Sequence, residues 1–561
     1  MMKKNTALKW DIKLAKQVRF GIALLSLLGI LYSILNTAFA LVSKEVIDAA
    51  ADAASGKISD NLVKLCIWLA FLIVLQLVFQ IVISKVSVKT SGKIVIKCKK
   101  QLFSALLHKE AASVLKYHSG ELLNRLTSDV AVVSGAISSI IPDLVHYITS
   151  AMASFIVLFA LDKTLAVLCL LALPVVFFAS RIYRNKMKFF HKRVQESDGK
   201  TRSFMQETLS NILVVKSFGS EEKVVDFATD LQTDNFKLNL KRNDISIMSN
   251  LIFFIAMTAG YYFAMAWGAL RMANGLMSFG TLMAVLQLVE QLQSPFRSLS
   301  SIMPQYYAMT ASTERIMELE NLPEEEMPDA DFDRDKIYDK ASAFCVENLT
   351  FSYEDKLVLD NVSFRIEKGE FAAVTGLSGA GKSTLLKLFL GIIEADSGEI
   401  YLLDENGEKL SLDAKTRALF AYVPQGNLIL SGTIRENIAF AKSDATDEEI
   451  IYAAKMAEIW NEISALPDGL DTVLGESGTG LSEGQIQRLA IARALLYDAP
   501  VLLLDECTSA LDEKTEKAVL DNLISLKSKT CLTVSHKAAA KQCCNVNLFV
   551  ENGVVYKLEK N

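Results

Sequence analysis

The chain contains 561 residues, of which 51% are hydrophobic, so it is too long for one domain and unusually apolar for a wholly soluble protein. Its net charge of -5 gives no overall basic surface, which argues against a nucleic-acid partner. The eight cysteines lack the spacing of a disulfide framework or a zinc site. We interpret them as reduced thiols, and the sequence assigns no role to the adjacent pair Cys543 and Cys544.

Apolar segments recur in the N-terminal half of the chain. Six of them are long enough to cross roughly 30 Å of hydrocarbon, at residues 20–42, 62–84, 137–161, 164–183, 245–270 and 279–299. An even number of spans places both termini on the same side of a membrane. The alternative, in which the first run and Ala38-Phe39-Ala40 form a cleaved signal peptide, is disfavoured because that run is too long.

The distribution of basic residues predicts the orientation of these spans. Lys and Arg cluster before the first span and after the fourth, at Lys3, Lys4, Lys9, Lys13, Lys16, Arg19, Arg181, Arg184, Lys186, Lys188, Lys192 and Arg193. Basic loops stay on the cytoplasmic side, whereas the connections at 44–61, 162–163 and 271–278 are short, weakly charged or balanced. We therefore expect a multi-pass protein of a cell membrane, the cytoplasmic membrane of a bacterium, with both termini cytoplasmic.

The predicted cytoplasmic connections are themselves helical. Residues 85–135 and 184–244 are far longer than ordinary loops, so helices should continue beyond the bilayer. Such extensions are either spacers or the mechanical coupling between a membrane domain and a cytoplasmic motor. The acidic stretch 322–335, which contains Pro323 and Pro328, is typical of a linker.

The first chemical motif of the C-terminal half is a complete phosphate-binding loop. A buried-strand pattern at 371–375 leads into a glycine-rich turn and a helix, with the loop formed by Gly376, Leu377, Ser378, Gly379, Ala380, Gly381, Lys382, Ser383 and Thr384. Backbone amides of such a loop surround phosphates, and the helix N-terminus adds positive potential. Lys382 is expected to reach the β and γ phosphates and Ser383 to ligate Mg²⁺.

A second apolar strand, at 501–505, ends in two carboxylates. Asp505 is placed to hold Mg²⁺, and Glu506 to act on the attacking water as a general base. Together with the phosphate loop, these residues predict hydrolysis of a nucleoside triphosphate.

The segment Leu481-Ser482-Glu483-Gly484-Gln485 opens a helix just before that strand. Here the chain resembles the ABC transporter superfamily, whose signature usually reads LSGGQ. The resemblance implies that Ser482, Gly484 and Gln485 bind ATP. Glu483 departs from the usual glycine but leaves the serine and the second glycine in place.

Four further residues complete the resemblance, in the family's order along the chain. The family pattern implies that Tyr353 stacks on adenine, that Gln425 senses Mg²⁺ and the attacking water, and that His536 contacts the γ-phosphate. Asp512 matches the loop that follows the second strand. On residue type alone, Tyr353 would more often be a core aromatic and His536 a surface residue.

The membrane half shows the same resemblance. Residues 120–130, together with Glu207 and the segment 215–219, are similar to cytoplasmic loops of exporters that have six spans per half. In that family nearby segments form short coupling helices that dock on the nucleotide domains. We therefore expect such contacts near 107–119 and 211–216.

The predicted fold class is an α-helical polytopic membrane domain with six transmembrane helices and long cytoplasmic extensions. It is followed by an α/β P-loop ATPase domain of ABC type with a helical subdomain. The expected boundaries are a cytoplasmic N-terminal segment at 1–19, a transmembrane domain at 20–321, a linker at 322–342 and a nucleotide-binding domain at 343–561.

The resemblance also implies assembly and activity. ABC proteins sandwich each ATP between the phosphate loop of one nucleotide domain and the signature of another, and this chain carries one of each. Two half-transporters, identical or homologous, should meet in the membrane lipid, bind ATP and Mg²⁺, and export an amphipathic small molecule, a lipid or a peptide. An importer with an exporter fold and an ATP-gated regulator or channel are the alternatives.

The sequence does not identify the substrate. Polar residues within the spans are candidate markers of a pathway: Asn36, Thr37, Gln76, Gln80, Gln287, Glu290 and Gln291. Glu290 either serves cationic substrates or protons, or pairs with Arg297 near the end of its span.

Overall fold

The structure is a computed structural model that describes residues 2–54, 61–328, 332–354, 356–426, 429–475 and 480–558. It contains two compact units, each considered by itself. The first comprises Met1–Ser104 and Ser119–Glu320, and the second comprises Ala105–His118 and Asn321–Asn561. The division shows that a short segment between the second and third predicted spans belongs to the unit that carries the phosphate loop.

Long helices dominate the residues before Asn321. In chain order the helices are α1 (Met2–Gln17), α2 (Arg19–Ala54), α3 (Leu62–Leu107), α4 (Ala111–Val114), α5 (Ser119–Asn124), α6 (Val130–Leu161), α7 (Lys163–Ser210), α8 (Ile212–Ser217), α9 (Glu221–Ala273) and α10 (Phe279–Glu320). One π-helical turn, Arg125–Asp129, joins α5 to α6. The helices α3, α7 and α9 run well past the ends of the predicted spans, as the helical pattern of the connections indicates.

Three helical segments of the described part are long and apolar enough to cross a membrane: Arg19–Ala53, Leu62–Leu107 and Ser119–Leu161. The remaining predicted spans lie on α7, α9 and α10. The side chains of 172–188 and 191–192, which carry most of the basic residues after the fourth span, lie outside the described set, as does that of Arg297.

A polar network links four helices within the apolar interior of the first unit. The Gln291 side chain accepts a hydrogen bond from Ser154 Oγ at 2.9 Å and donates to the backbone carbonyl of Asn36 at 3.2 Å. Gln76 donates to Asn36 Oδ1 at 3.0 Å. Thus several of the polar residues that the sequence marks as pathway candidates bond to one another, because an unpaired amide is costly in an apolar surrounding.

The N-terminal helix α1 is attached to the end of α10. Asp11 is only 5% exposed and accepts a hydrogen bond from Thr313 Oγ1 at 2.7 Å. Trp10 Nε1 donates to Glu320 Oε2 at 2.8 Å. Burial raises the pKa of Asp11 from 3.8 to about 6, and the bond from Thr313 opposes the shift.

We expect Asp11→Asn to stabilise the protein at alkaline pH. Because the folded-state pKa is raised, the folded state holds the proton more tightly, so stability is present below pH 4 and is lost as pH rises through about 6. At pH 8 the variant should gain about 2 kcal/mol over the wild type. Thermal unfolding at pH 4 and pH 8 measures this, with Asp198→Asn, in an exposed pair with Arg202, as control. An equal difference at both pH values would contradict the assignment.

In the second unit, the segment around α4 pairs with the start of the acidic stretch. The amide of Glu110 donates to Pro323 O at 3.1 Å, and the amide of Glu325 donates to His108 O at 2.9 Å. The buried ammonium of Lys109 lies 3.2 Å from Glu324 Oε1. These contacts involve the first of the two segments predicted to couple the domains. The second, 211–216, forms α8 in the first unit, with Leu213 80% exposed, and its docking stays a prediction.

The acidic stretch is held more firmly than its linker composition indicates. Arg417 bonds Glu325 through two nitrogens at 2.8 and 2.9 Å, and Lys415 lies 2.7 Å from Glu326. Bidentate arginine–carboxylate pairs of this kind fix geometry as well as charge. Farther on, Arg334–Lys340 is helical and the first strand begins at Ala341. Sequence composition missed these contacts because Lys415 and Arg417 lie about 90 residues away.

The second unit continues with eight helices and twelve strands in its described residues. The helices are α11 (Arg334–Lys340), α12 (Lys382–Phe389), α13 (Ile434–Ile438), α14 (Asp447–Met456), α15 (Trp460–Ser464), α16 (Glu483–Tyr497), α17 (Glu513–Ser525) and α18 (Ala538–Cys543). The strands are β1 (Ala341–Tyr353), β2 (Lys356–Glu367), β3 (Phe371–Gly376), β4 (Ser397–Asp404), β5 (Lys409–Ser411), β6 (Phe420–Val423), β7 (Gly432–Thr433), β8 (Val473–Leu474), β9 (Val501–Asp505), β10 (Thr530–Val534), β11 (Val546–Glu551) and β12 (Val554–Leu558).

A six-stranded sheet with the order β12-β11-β3-β10-β9-β6 forms the centre of this unit. All its neighbours are parallel except β11 and β12. One face packs against α14, α16 and α17, and the other packs against α12 and an antiparallel sheet of order β2-β1-β4-β5. Burial on both faces explains the uninterrupted apolar runs of β3 and β9. The carboxyl ends of these strands consequently meet at one edge, where a ligand site is expected.

Candidate nucleotide-binding site

The phosphate loop follows β3 directly and ends at α12. Residues 371–375 are buried, which fixes the point from which the chain turns. Gly376 has φ of +145°, and a Cβ there would lie 2.2 Å from the carbonyl oxygen of Val550. Gly381 caps α12 with φ of +101°. These positions accept only glycine without strain, and they turn the loop toward the N-terminus of α12, where anions bind.

Lys382 lies inside the loop rather than in solvent. Its Nζ donates to the carbonyls of Gly376 at 3.1 Å and Leu377 at 2.8 Å, and the residue is 5% exposed. Burial lowers the pKa of Lys382, while the carboxylates of Glu506 and Asp505 oppose that shift. A phosphate oxygen would supply the counter-charge that this buried ammonium lacks in the loop itself.

Ser383 and Asp505 lie together where their strands and helix converge. Ser383 Oγ donates to Asp505 Oδ1 at 3.0 Å, and Tyr422 OH lies 3.4 Å from Asp505 Oδ2. Burial raises the pKa of Asp505, and it is 1% exposed. A hydroxyl and a carboxylate are hard oxygen donors of the kind that Mg²⁺ binds, with water and phosphate completing its shell. The donor set therefore fits the predicted metal.

Glu506 follows β9 in a left-handed conformation, with φ of +48°. Its amide bonds to Val534 O at 3.0 Å, which ties this turn to β10. Gln425 Nε2 donates to Glu506 Oε2 at 2.7 Å, and His536 Nε2 lies 3.3 Å from Oε1. Three residues predicted from separate segments of the sequence are thus in contact around one carboxylate.

The signature segment begins α16 with a reciprocal cap. Gln485 N donates to Ser482 Oγ at 3.3 Å, and Ser482 N donates to Gln485 Oε1 at 2.7 Å. A Cβ at Gly484 would lie 3.0 Å from Ala510 O, so the glycine lets the helix start approach the loop after β9. Ser482 and Glu483 are exposed. The helix N-terminus therefore presents its positive end to solvent, a geometry suited to a phosphate.

Tyr353 ends β1 and is 44% exposed. Its ring packs edge to face on Phe351, with centroids 4.8 Å apart and planes at 90°. The residue is therefore partly open to a ligand, and its stacking on adenine stays a prediction.

Comparison with known proteins identifies the family. Residues 22–296 match the model of the ABC transporter transmembrane region, and residues 359–509 match the model of the ABC transporter. The chain is 32% identical over 474 residues to an ATP-dependent lipid A-core flippase of Vibrio vulnificus (strain YJ016), which covers 83% of this chain and 80% of that relative. The chain belongs to the ABC transporters.

Two further similarities describe its organisation. A solved bacterial Atm1-family ABC exporter with ATP bound superposes with a TM-score of 0.80 at 22% identity, covering 97% of this chain and 95% of that one. A Dictyostelium discoideum serine protease/ABC transporter B family protein, tagA, is 29% identical over 532 residues, and this chain spans 30% of its length. This ABC transporter has the exporter-type half-transporter arrangement, with a helical transmembrane domain followed by an ATPase domain. It binds ATP and couples ATP hydrolysis to transport.

Two positioning residues of this ABC transporter were not predicted from the sequence. Gln487 bridges α16 to the loop after β9, because its Nε2 donates to Ser509 Oγ at 2.8 Å and its Oε1 accepts from Ala510 N at 3.1 Å. Lys537, next to His536, donates to the carbonyls of Thr508 at 2.9 Å and Leu511 at 2.6 Å. The partners of Gln487 and Lys537 are mostly backbone groups, which leave no pattern in the sequence. The only available signal was that both residues lie beside recognised motifs.

We expect Lys537→Met to destabilise the nucleotide domain. Lys537 Nζ lies 3.4 Å from Glu516 Oε2, and Glu516 is 0% exposed, so loss of the ammonium leaves a buried carboxylate without its cation. The cost should be about 2 kcal/mol in the free energy of unfolding, with slower ATP hydrolysis. The double variant Lys537→Met/Glu516→Gln should recover most of the stability. Lys541→Met, at an exposed lysine, is the matched control for thermal unfolding. Failure of the double variant to recover would contradict the charge argument.

Proposed function

We propose that this ABC transporter exports an amphipathic molecule, a small compound, a lipid or a peptide, across the cytoplasmic membrane as a dimer of half-transporters. The observation that best supports this proposal is the contact of Gln425 and His536 with Glu506 beside the phosphate loop. The same chain carries a membrane domain with the exporter arrangement.

Each residue of the site has a proposed role in hydrolysis. Lys382 and the loop amides bind the β and γ phosphates, and Ser383 and Asp505 hold Mg²⁺, which neutralises charge on the phosphates when bound. Glu506 orients a water and accepts its proton, with Gln425 and His536 fixing the carboxylate through the contacts described above. Catalysis then rests on positioning and charge stabilisation.

Dimerisation follows from the division of the site. Ser482 is exposed at the N-terminus of α16, and it is proposed to bind the γ-phosphate held by the partner's loop. ATP would then pull two nucleotide domains together, and hydrolysis would weaken the contact because charge leaves with phosphate. Both an identical and a homologous partner satisfy this geometry.

Export is favoured over import by the order of the two domains and by relatives named as flippases. A regulatory or gated-channel function is disfavoured because the chain retains Glu506 and His536 in contact, as hydrolysis requires. With both termini and the nucleotide domain in the cytoplasm, ATP is available to the site, and the basic segments agree with that orientation.

The amphipathic substrate class is supported by polar groups on the apolar helices of the first unit. Glu290 is exposed on α10, next to Gln291 of the buried network. An acidic side chain at this position must meet water, a cation or a second copy of the chain. Aromatic residues on α9, among them Tyr262 at 60% exposed, add apolar surface for an acyl chain or a ring.

The test is ATP hydrolysis by the purified protein in lipid nanodiscs, with a panel of lipids, peptides and cationic amphiphiles, followed by uptake of the stimulating compound into inside-out vesicles. ATP-dependent accumulation inside such vesicles is the expected result for export. Depletion from them would indicate an importer. ATP hydrolysis that no compound stimulates, with ATP-dependent ion conductance, would favour the channel.

A further inference from the structure

A cavity of about 240 Å³ with a mixed polar and apolar lining lies between α2, α3 and α6 of the first unit. Its polar lining includes Tyr32, Gln80, Ser87, Ser138, Asp143 and His146. Most of these positions fall within the predicted spans, where an ionisable side chain is costly unless it meets a partner or water. Nucleotide chemistry uses neither Asp143 nor His146, so the cavity requires its own explanation.

His146 is fixed in one orientation by α2. Its Nδ1 lies 3.2 Å from the carbonyl oxygen of Gly29 and 2.7 Å from Oγ of Ser33. In the tautomer in which Nδ1 donates to the Gly29 carbonyl, the lone pair of the ring is on Nε2. Gly29 permits this approach, because a Cβ there would lie 3.2 Å from Cβ of His146. In that tautomer His146 offers the cavity a hydrogen-bond acceptor.

Two more acceptors lie on the same helix. The Asp143 carboxylate precedes His146 by one turn of α6, and no hydrogen bond within the described residues involves it. Pro142 has no amide hydrogen, so it cannot donate to the carbonyl of Ser138 one turn earlier. No Lys or Arg is among the described residues that line the cavity. The described part of the wall formed by α6 thus combines a carboxylate with hydrogen-bond acceptors and carries no Lys or Arg.

We propose that this cavity binds the primary ammonium group of an amphipathic molecule. A primary ammonium has one positive charge and three N–H donors, which suit the Asp143 carboxylate and, in the tautomer above, His146 Nε2. The Tyr32 ring, with its centroid 5.9 Å from that of His146, adds an aromatic face that favours a cation. This inference rests on the proposed function and names the substrate class of the membrane domain.

The size of the cavity sets what enters it. A volume of about 240 Å³ is enough for an amine head group and its first carbons. The acyl chain or ring of a longer amphiphile would then extend along the exposed apolar side chains of α2 and α3. The head group belongs either to a membrane lipid with a primary amine or to a transported amine.

The test uses dodecylamine and the full-length protein, without nucleotide, in nanodiscs of phosphatidylglycerol. Equilibrium binding above the uptake by empty discs should be saturable in the wild type, and dodecanol, which has no cation, should not compete. Asp143→Asn should weaken binding at least about tenfold, since it removes the carboxylate that faces the ammonium. Ser87→Leu, which fills the opposite wall, should weaken it without changing any charge. The control Glu45→Gln removes an exposed carboxylate paired with Lys44 at one end of α2 and should bind normally.

Each variant is first required to bind ATP as the wild type does, which reports on folding. Equal binding of dodecylamine by Asp143→Asn and the wild type would overturn the proposal, as would uptake no greater than that of empty discs. Discs that contain phosphatidylethanolamine identify the source of the amine. Lower apparent affinity there supports a lipid occupant of the cavity, and unchanged affinity supports a transported amine. ATP hydrolysis is measured separately, so its loss would contradict the proposed function while the binding of dodecylamine still tests the cavity.

Discussion

Glu506→Gln should bind ATP as tightly as the wild type and hydrolyse it about 10²- to 10⁴-fold more slowly, the range that a general base contributes. The amide keeps the shape of the carboxylate and can still contact Gln425 and His536, which lie 2.7 and 3.3 Å from its two oxygens. It cannot accept the proton of the attacking water. Because every phosphate contact remains, ATP-bound dimers should accumulate.

The measurements are turnover under saturating ATP, equilibrium binding of a labelled ATP and the oligomeric state by light scattering. Glu513→Gln is the matched control, since Glu513 is exposed in the first turn of α17. That variant should hydrolyse ATP at the wild-type rate. Turnover by Glu506→Gln close to the wild-type rate would remove the residue from the proposed chemistry.

The second large effect tests assembly. Ser482→Arg should abolish hydrolysis while its own phosphate loop still binds ATP, because the exposed end of α16 is proposed to serve the partner's site. Lys382→Ala should weaken ATP binding about tenfold or more, since it removes the ammonium of the loop. Each homodimer should therefore retain almost no hydrolysis.

Heterodimers of the two variants distinguish sites shared between chains from sites within one chain. If the signature acts across the dimer, both lesions fall on one composite site, and the other keeps an intact loop and signature. Hydrolysis in purified heterodimers should then recover to roughly half of the wild-type rate or less, depending on how far two sites act together. A heterodimer as inactive as the homodimers leaves two explanations, hydrolysis within one chain or strict coupling of both sites.

Crosslinking separates those explanations. Cysteines introduced by Ser482→Cys and Ser378→Cys on different chains should join only when ATP brings the loop and signature together. The exposed Cys66 is first replaced by alanine to prevent unrelated bridges. An ATP-dependent bridge between chains, with an inactive heterodimer, indicates strict coupling. Absence of the bridge contradicts the shared site.

The residue pattern was sufficient to predict the features whose physics is local. The phosphate loop depends on a buried strand, glycines with positive φ and a following helix within nineteen residues, 371–389, and such conformations are encoded by neighbouring residues. Hydropathy likewise predicts a helical membrane domain, because a span must satisfy its own backbone hydrogen bonds. The signature was identified by its resemblance to the family's LSGGQ pattern, and in the structure Ser482 and Gln485 cap their own helix.

The tertiary structure alone determined the contacts between residues far apart in the chain. Arg417 holds the acidic stretch through Glu325, Lys537 supports the loop after β9 through backbone carbonyls, and Asp143 and His146 meet Gly29 and Tyr32 of another helix at one cavity. None of these has a short-range pattern. Each depends on which helix faces or strand ends the packing brings together. The spacing of residues along the chain does not predict these partners, which lie from 26 to 117 positions away.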